Sequence, residues 1–101
     1  MPNVELTPEF NRRLSELQPK HRSIVIELVV SAGTTPPEKT DYRFHDDEIG
    51  TMHALVEQKF KSKRLYVLYQ ITESRIDMYQ CGFVTVNDKG FVFDFESSED
   101  S

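Results

Sequence analysis

Apolar and polar positions change their spacing about midway along the chain, from helical in the first third to strand-like after residue 50. Val4-Glu5-Leu6 alternates, as a short edge strand would. Thr7-Pro8-Glu9 then carries three helix-start signals. The Thr7 hydroxyl can cap free amides, Pro8 sits where its missing N–H costs nothing, and Glu9 complements the positive helix end. Phe10, Leu14 and Leu17 follow at i, i+4 and i+7 and make one apolar helix face. Gln18-Pro19 interrupts the pattern, because proline restricts the residue before it and cannot occupy a helix interior. A second helix therefore begins there. Ile24, Val25, Ile26, Leu28, Val29 and Val30 make it apolar on most sides, with Glu27 as the exception. Its β-branched content leaves a strand open, but Lys20 to Ala32 is too long for an ordinary strand and Gly33 offers a C-terminal cap. Two helices joined by so short a link form a helical hairpin.

Residues 34–50 read as a loop: Pro36-Pro37 bars helix and central strand, and Asp46-Asp47-Glu48 before Gly50 reads as a solvated turn. Thr51 to Phe60 alternates loosely. Leu65, Val67, Tyr69 and Ile71 share one strand face, with Tyr66, Leu68 and Gln70 on the other. Thr72-Glu73-Ser74 is a turn, and Arg75 to Val86 a long strand in which Gly82 marks a bulge or close approach. Asn87-Asp88-Lys89-Gly90 is a strong turn signal, and Phe91, Phe93 and Phe95 alternate as a last strand. Residues 96–101 form an acidic, Ser-rich tail expected to fray. The order predicts an α+β fold, a two-layer sandwich. A short N-terminal strand and a helical hairpin pack on an antiparallel sheet of three to five strands, all in one domain spanning 1–101.

Composition narrows the classes. A chain of 101 residues is one domain with enough length for its own core. A single cysteine excludes an intramolecular disulfide framework and multi-cysteine zinc sites. The run from Ile24 to Val30 is far short of the ~20 apolar residues of a membrane span. The opening residues lack a signal-peptide apolar region, so a cytoplasmic protein is expected. The net charge of -5 argues against a dedicated nucleic-acid binder. Read by position, however, Lys59, Lys61, Lys63 and Arg64 place four cations in six residues.

The element order, together with Arg64-Leu65-Tyr66-Val67-Leu68-Tyr69-Gln70-Ile71 and Arg75-Ile76-Asp77-Met78-Tyr79-Gln80-Cys81-Gly82-Phe83-Val84, resembles the RelE/ParE toxin superfamily. The HigB-like, phage-associated branch is the most similar, with "R-V-L-Y" on one strand and "L-H-G-F-V-K-K" on the next. Val4 to Phe10 also looks like that family's first strand running into its first helix. The resemblance covers most of residues 4–86. It implies ribosome-dependent mRNA cleavage, or for the ParE branch inhibition of DNA gyrase. Basic and aromatic side chains on the concave sheet face would orient RNA and stabilise charge at the phosphate. Four family positions depart from the pattern. Tyr66 stands where arginine is usual, Cys81 where histidine is, and Thr85 and Val86 where two lysines follow. Loss of a cation at a reacting phosphate costs orders of magnitude in rate, so the resemblance implies a degenerate or repurposed member.

Each candidate site competes with an ordinary explanation. Lys59, Lys61, Lys63 and Arg64 suit RNA or a partner surface, or a solvated hairpin tip whose lysines discourage edge pairing. Tyr66 and Arg75 are the groups placed nearest the scissile phosphate, with His53 as a proton-transfer group if its strand faces Tyr66. His21, His45 and His53 lack the short spacing of a metal site, although His45 adjoins Asp46 and Asp47. No metal or cofactor is expected. A lone strand cysteine such as Cys81 is usually a small hydrophobe. The acidic groups Asp46-Asp47-Glu48 and Asp94, Glu96, Glu99 and Asp100 suit a basic partner or simple solubility.

Two functions follow. The first is a RelE/HigB-like toxin of a toxin–antitoxin system. It would act on translating mRNA or another host target, with the ribosome and a cognate antitoxin as partners. The second is a non-catalytic phage- or plasmid-type protein that inhibits or regulates a host protein through a protein–protein surface.

Overall fold

The computed structural model describes residues 3–48, 50–58, 63–73, 75–88 and 90–93. Strand β1 (Asn3–Leu6) leads into helix α1 (Pro8–Glu16) and helix α2 (Pro19–Ala32), and a 3-10 turn follows at Pro37–Lys39. Strands β2 (Tyr42–Asp46), β3 (Gly50–Val56), β4 (Lys63–Ile71), β5 (Arg75–Asn87) and β6 (Gly90–Phe93) complete the order. The chain is therefore α+β, with two helices packed on one sheet.

The helix signals act as local chemistry dictates. The Thr7 hydroxyl accepts from the Phe10 amide at 3.3 Å, while Pro8 occupies the first turn. The same hydroxyl donates to the Met78 carbonyl at 2.8 Å, so the cap of α1 is also its tether to β5. Arg12 bridges Glu9 and Glu16 along the exposed side of α1. Phe10 is fully buried, and Leu14 and Leu17 pack beside it. In α2, Val25 and Ala32 are buried, with Ile24, Leu28 and Val29 partly so.

The sheet runs β1-β5-β4-β3-β2, and β6 also pairs with β5. The long β5 divides one edge between two partners. Its start pairs with β1 (Val4↔Ile76), and its end pairs with β6 (Thr85↔Val92). Pairing is antiparallel throughout except for β1, which runs parallel to β5. The sheet is thus mixed rather than purely antiparallel, as a strand followed by a two-helix crossover permits.

Two expectations about the chain path need correction. Part of the stretch read as a loop, residues 34–50, is strand β2, in register with β3 from Tyr42↔Ala54 to Asp46↔Gly50. The bulge is not at Gly82, which pairs regularly with Tyr66. The register shifts between Leu68↔Gln80 and Tyr69↔Met78, leaving Tyr79 as the extra residue of β5. The turn at 87–90 closes as expected, with Asn87 paired to Gly90, and Gly90 adopts φ +120. The tail from Asp94 onward, including Phe95, lies outside the described residues.

Two cores lie on opposite sides of the sheet. Under the helices, Phe10, Val25, Leu65, Val67, Tyr69 and Met78 pack together. On the other side, Met52, Val56, Tyr66, Leu68, Val84 and Phe93 form a second cluster, flanked by Tyr42, Phe44, Tyr79 and Phe91. Tyr42 on β2 lies 5.2 Å from Phe93 on β6, ring centroid to ring centroid. In a flat sheet four interstrand steps would separate those strands by about 19 Å. The sheet therefore curls, and its concave face closes on its own aromatic side chains.

Candidate functional site

The residues expected to form a ribonuclease centre do not converge. In the β3–β4 register His53 faces Tyr69 and Val56 faces Tyr66. His53 and Tyr66 are thus an odd number of positions apart along the pairing and point to opposite faces. Tyr66 has no exposed surface and meets Phe93 edge-to-face at 4.8 Å, inside the concave core. Arg75 opens β5 at the far end of the sheet, with its guanidinium 2.8 Å from the Asp77 carboxylate. Lys63 pairs with Thr85 and Ile71 with Ile76, and Arg75 lies one residue further on, so about 30 Å of strand separates Arg75 from Lys63. The concave surface that was to hold RNA is filled.

Lys59 and Lys61 lie outside the described residues. Lys63 and Arg64 begin β4 and, as consecutive strand residues, point to opposite faces. The Lys63 ammonium sits 5.0 Å above the Phe83 ring, and Arg64 donates to Gln58 at 3.1 Å. Both cations already take part in local packing.

His53 belongs to a different group. Its ring stacks on Tyr69 at 5.9 Å, and its Nδ1 lies 3.2 Å from the Thr40 hydroxyl. Burial, reinforced by nearby Arg43, holds the His53 pKa below the ordinary histidine value, which favours the neutral ring. Burial, with the Asp41 charge adding to it, pushes the Tyr69 phenol up to about 12. Tyr69 is fully buried, and its hydroxyl has no hydrogen-bond partner among the described residues. His53 thus packs against Tyr69 and leaves only 5% of its surface exposed.

The remaining candidates are equally local. His21 packs edge-on against Phe83, and exposed His45 lies 3.8 Å from Asp47. Cys81 is buried, its thiol directed at the Phe10 carbonyl 3.9 Å away. Its own carbonyl accepts from Arg13 at 2.6 Å, which pins the end of α1 to β5. Among the described residues no three His, Cys, Asp or Glu side chains are placed to hold a metal ion. None of the helices described is long and apolar enough to cross a membrane.

A concavity lies elsewhere, between α2 and the end of β3, with a volume of about 360 Å³. Ile24, Leu28, Leu55 and Val56 supply its apolar wall, and Glu27, Asp41 and Glu57 supply carboxylates. Asp41 is fixed there because its carboxylate accepts the Val56 amide at 2.8 Å. The sequence held one signal for this place, Glu27 interrupting the apolar run of α2. The convergence of Asp41 and Glu57 upon it required the register of β2 and β3. No family model, curated protein or solved structure matches the chain.

Proposed function

We propose that the chain is a non-catalytic binding protein that regulates or inhibits a host protein through a protein–protein surface. One observation carries this reading: His53 and Tyr66 occupy opposite sheet faces, and Arg75 sits at the other end from Lys63. General acid–base chemistry needs its groups within hydrogen-bond reach of one reacting atom, and these residues have no such common point. The apolar exposure of α2 supports a binding role, since Ile26 and Val30 are 51% and 67% exposed.

A second reading, a RelE/HigB-like toxin with a cognate antitoxin, draws support from the order of strand, two helices and antiparallel strands. Strong expression in a bacterial host, with growth curves and mapping of message ends, separates the two. The non-catalytic reading expects intact message, both in cells and in a translating extract. New message ends that vanish in the Arg75→Ala variant would overturn it in favour of the toxin.

A further inference from the structure

Residues 34–41 cross from the end of α2 to the start of β2 and are tied down at both ends and near the middle. At one end the Thr35 hydroxyl donates to the Ser31 carbonyl of α2 at 2.7 Å. At the other the Asp41 amide donates to the Ala54 carbonyl at 3.1 Å, and the Asp41 carboxylate accepts the Val56 amide at 2.8 Å. Between them Thr40 meets His53 of β3, with Oγ1 3.2 Å from Nδ1. Thr35, Asp41 and Val56 also line the concavity beside α2. The segment is thus a strap whose release changes the rim of that concavity.

The hydrogen bonds assign the proton on the ring. The Thr40 hydroxyl carries one hydrogen, and the Pro37 carbonyl 3.2 Å away can only accept it. The hydroxyl oxygen is left to accept from Nδ1–H, so the lone pair lies on Nε2. Among the described residues Nε2 has no hydrogen-bond partner. A second proton would arrive on a ring only 5% exposed, at an atom with nothing to receive its N–H.

The groups around the ring disfavour that charge. Arg43 stands opposite His53 across the β2–β3 pairing, and Tyr69 does so across β3–β4. Tyr69 stacks on the imidazole and keeps its phenol proton. On the strap, Asp41 directs its carboxylate at the Val56 amide, while Glu38 and Lys39 are exposed. On α2, Glu27 belongs to the wall of the concavity. No carboxylate among the described residues is hydrogen-bonded to the ring. Burial and Arg43 therefore act together against the imidazolium, in line with the lowered His53 pKa. Lifting the strap gives the ring water.

We propose that residues 34–41 are an acid-released strap: neutral His53 holds Thr40 on the sheet, and a proton taken up at Nε2 frees the strap and opens the rim of the concavity. As the strap lifts, Asp41 leaves the Val56 amide. The closed strap favours the neutral ring, and the open one exposes an ordinary imidazole. Opening therefore becomes easier as pH falls below 6.5 and is least frequent above it. The device adds a pH dependence to the binding reading without depending on which partner the concavity receives.

Native-state hydrogen exchange of the full chain, followed by NMR and corrected for intrinsic exchange rates, tests this. The Val56 amide, held by Asp41, is the reporter. Its opening should be between about threefold and tenfold more frequent at about pH 5.5 than at about pH 8, the upper bound being the linkage limit for one pH unit below the ordinary histidine value. It should change little with sub-denaturing urea, as a local opening does. His53→Gln keeps an N–H for Thr40 but takes up no proton, and should abolish the pH dependence. Thr40→Val should make the opening several-fold more frequent already at about pH 8. No acceleration in acid, or unchanged exchange in Thr40→Val, would overturn the proposal. So would an acceleration that survives His53→Gln, which would assign it to the Asp41 carboxylate. A urea dependence equal to that of the Val67 amide in β4 would also overturn it, because the proton would then act through unfolding of the whole domain.

Discussion

Replacing Tyr66 with alanine asks whether the concave face is a core or a binding surface. The ring has no exposed area and lies 4.8 Å from the Phe93 ring at 76°. Removing a buried aromatic ring of this size costs about 3–5 kcal/mol through lost transfer energy and the cavity left behind. The edge-to-face pair contributes about 1 kcal/mol within that total. A loss of about 4 kcal/mol is a large share of the ~5–15 kcal/mol that holds a domain together. With a urea slope of about 2 kcal/mol per molar, the midpoint should fall by about 2 M. Urea unfolding followed by circular dichroism reads this directly. Tyr66→Phe, which keeps the ring, should stay within about 1 kcal/mol of the parent. Arg75→Ala removes a pair whose Arg75 side is half-exposed and whose Asp77 side is largely buried, and should move stability by about 1 kcal/mol or less. If Tyr66→Ala unfolded within 1 kcal/mol of the parent, the curled-sheet packing would be wrong and the face would be open to ligand.

Three further substitutions test the local chemistry. Tyr69→Phe removes a buried hydroxyl that has no partner among the described residues, so it should be neutral or stabilise by up to about 1 kcal/mol; a clear loss in the same urea assay would show that the hydroxyl is satisfied. His53 has its pKa lowered in the fold, so between that value and 6.5 the unfolded chain binds more protons and stability rises with pH. Stability should therefore fall as pH drops through 6.5, and His53→Gln should flatten that part of the profile; an unchanged slope would refute the assignment. Thr7→Ala loses the cap on the Phe10 amide and the bond to the Met78 carbonyl, at about 1–2 kcal/mol. Hydrogen exchange at the Phe10 amide should accelerate accordingly, and Thr7→Ser should restore most of its protection.

The helices were legible because their signals are local. Thr7-Pro8-Glu9 and Gln18-Pro19 act within one turn, and the structure starts α1 and α2 at those prolines. Strand β2 was not, although Tyr42-Arg43-Phe44-His45 alternates as a strand should. Its apolar residues Tyr42 and Phe44 pack on the second cluster, where Tyr42 meets Phe91 and Phe93, about fifty residues later, as the sheet curls. Between a diproline and an acidic turn, nothing nearby distinguishes it from a loop. The carboxylate groove was hidden for the same reason, since Glu27, Asp41 and Glu57 meet only through tertiary register.

Strand parity decides the rest, and Cys81 shows how finely. Ile76 and Met78 face the helices before the bulge at Tyr79, and Cys81 faces them after it, in the same core. Had the bulge fallen at Gly82, unbroken alternation from Met78 would turn Cys81 to the concave side, beside Tyr66 and Val84. The thiol would then occupy the position from which the family resemblance expects a functional side chain. With the bulge at Tyr79 it lies instead under α1, fully buried and 3.9 Å from the Phe10 carbonyl. A thiol so placed reacts only as the domain opens. A thiol-specific reagent should therefore label the native protein slowly, at a rate that rises with sub-denaturing urea, and Thr7→Ala should speed it by loosening α1. Rapid labelling without urea would place the bulge elsewhere and return Cys81 to the accessible face.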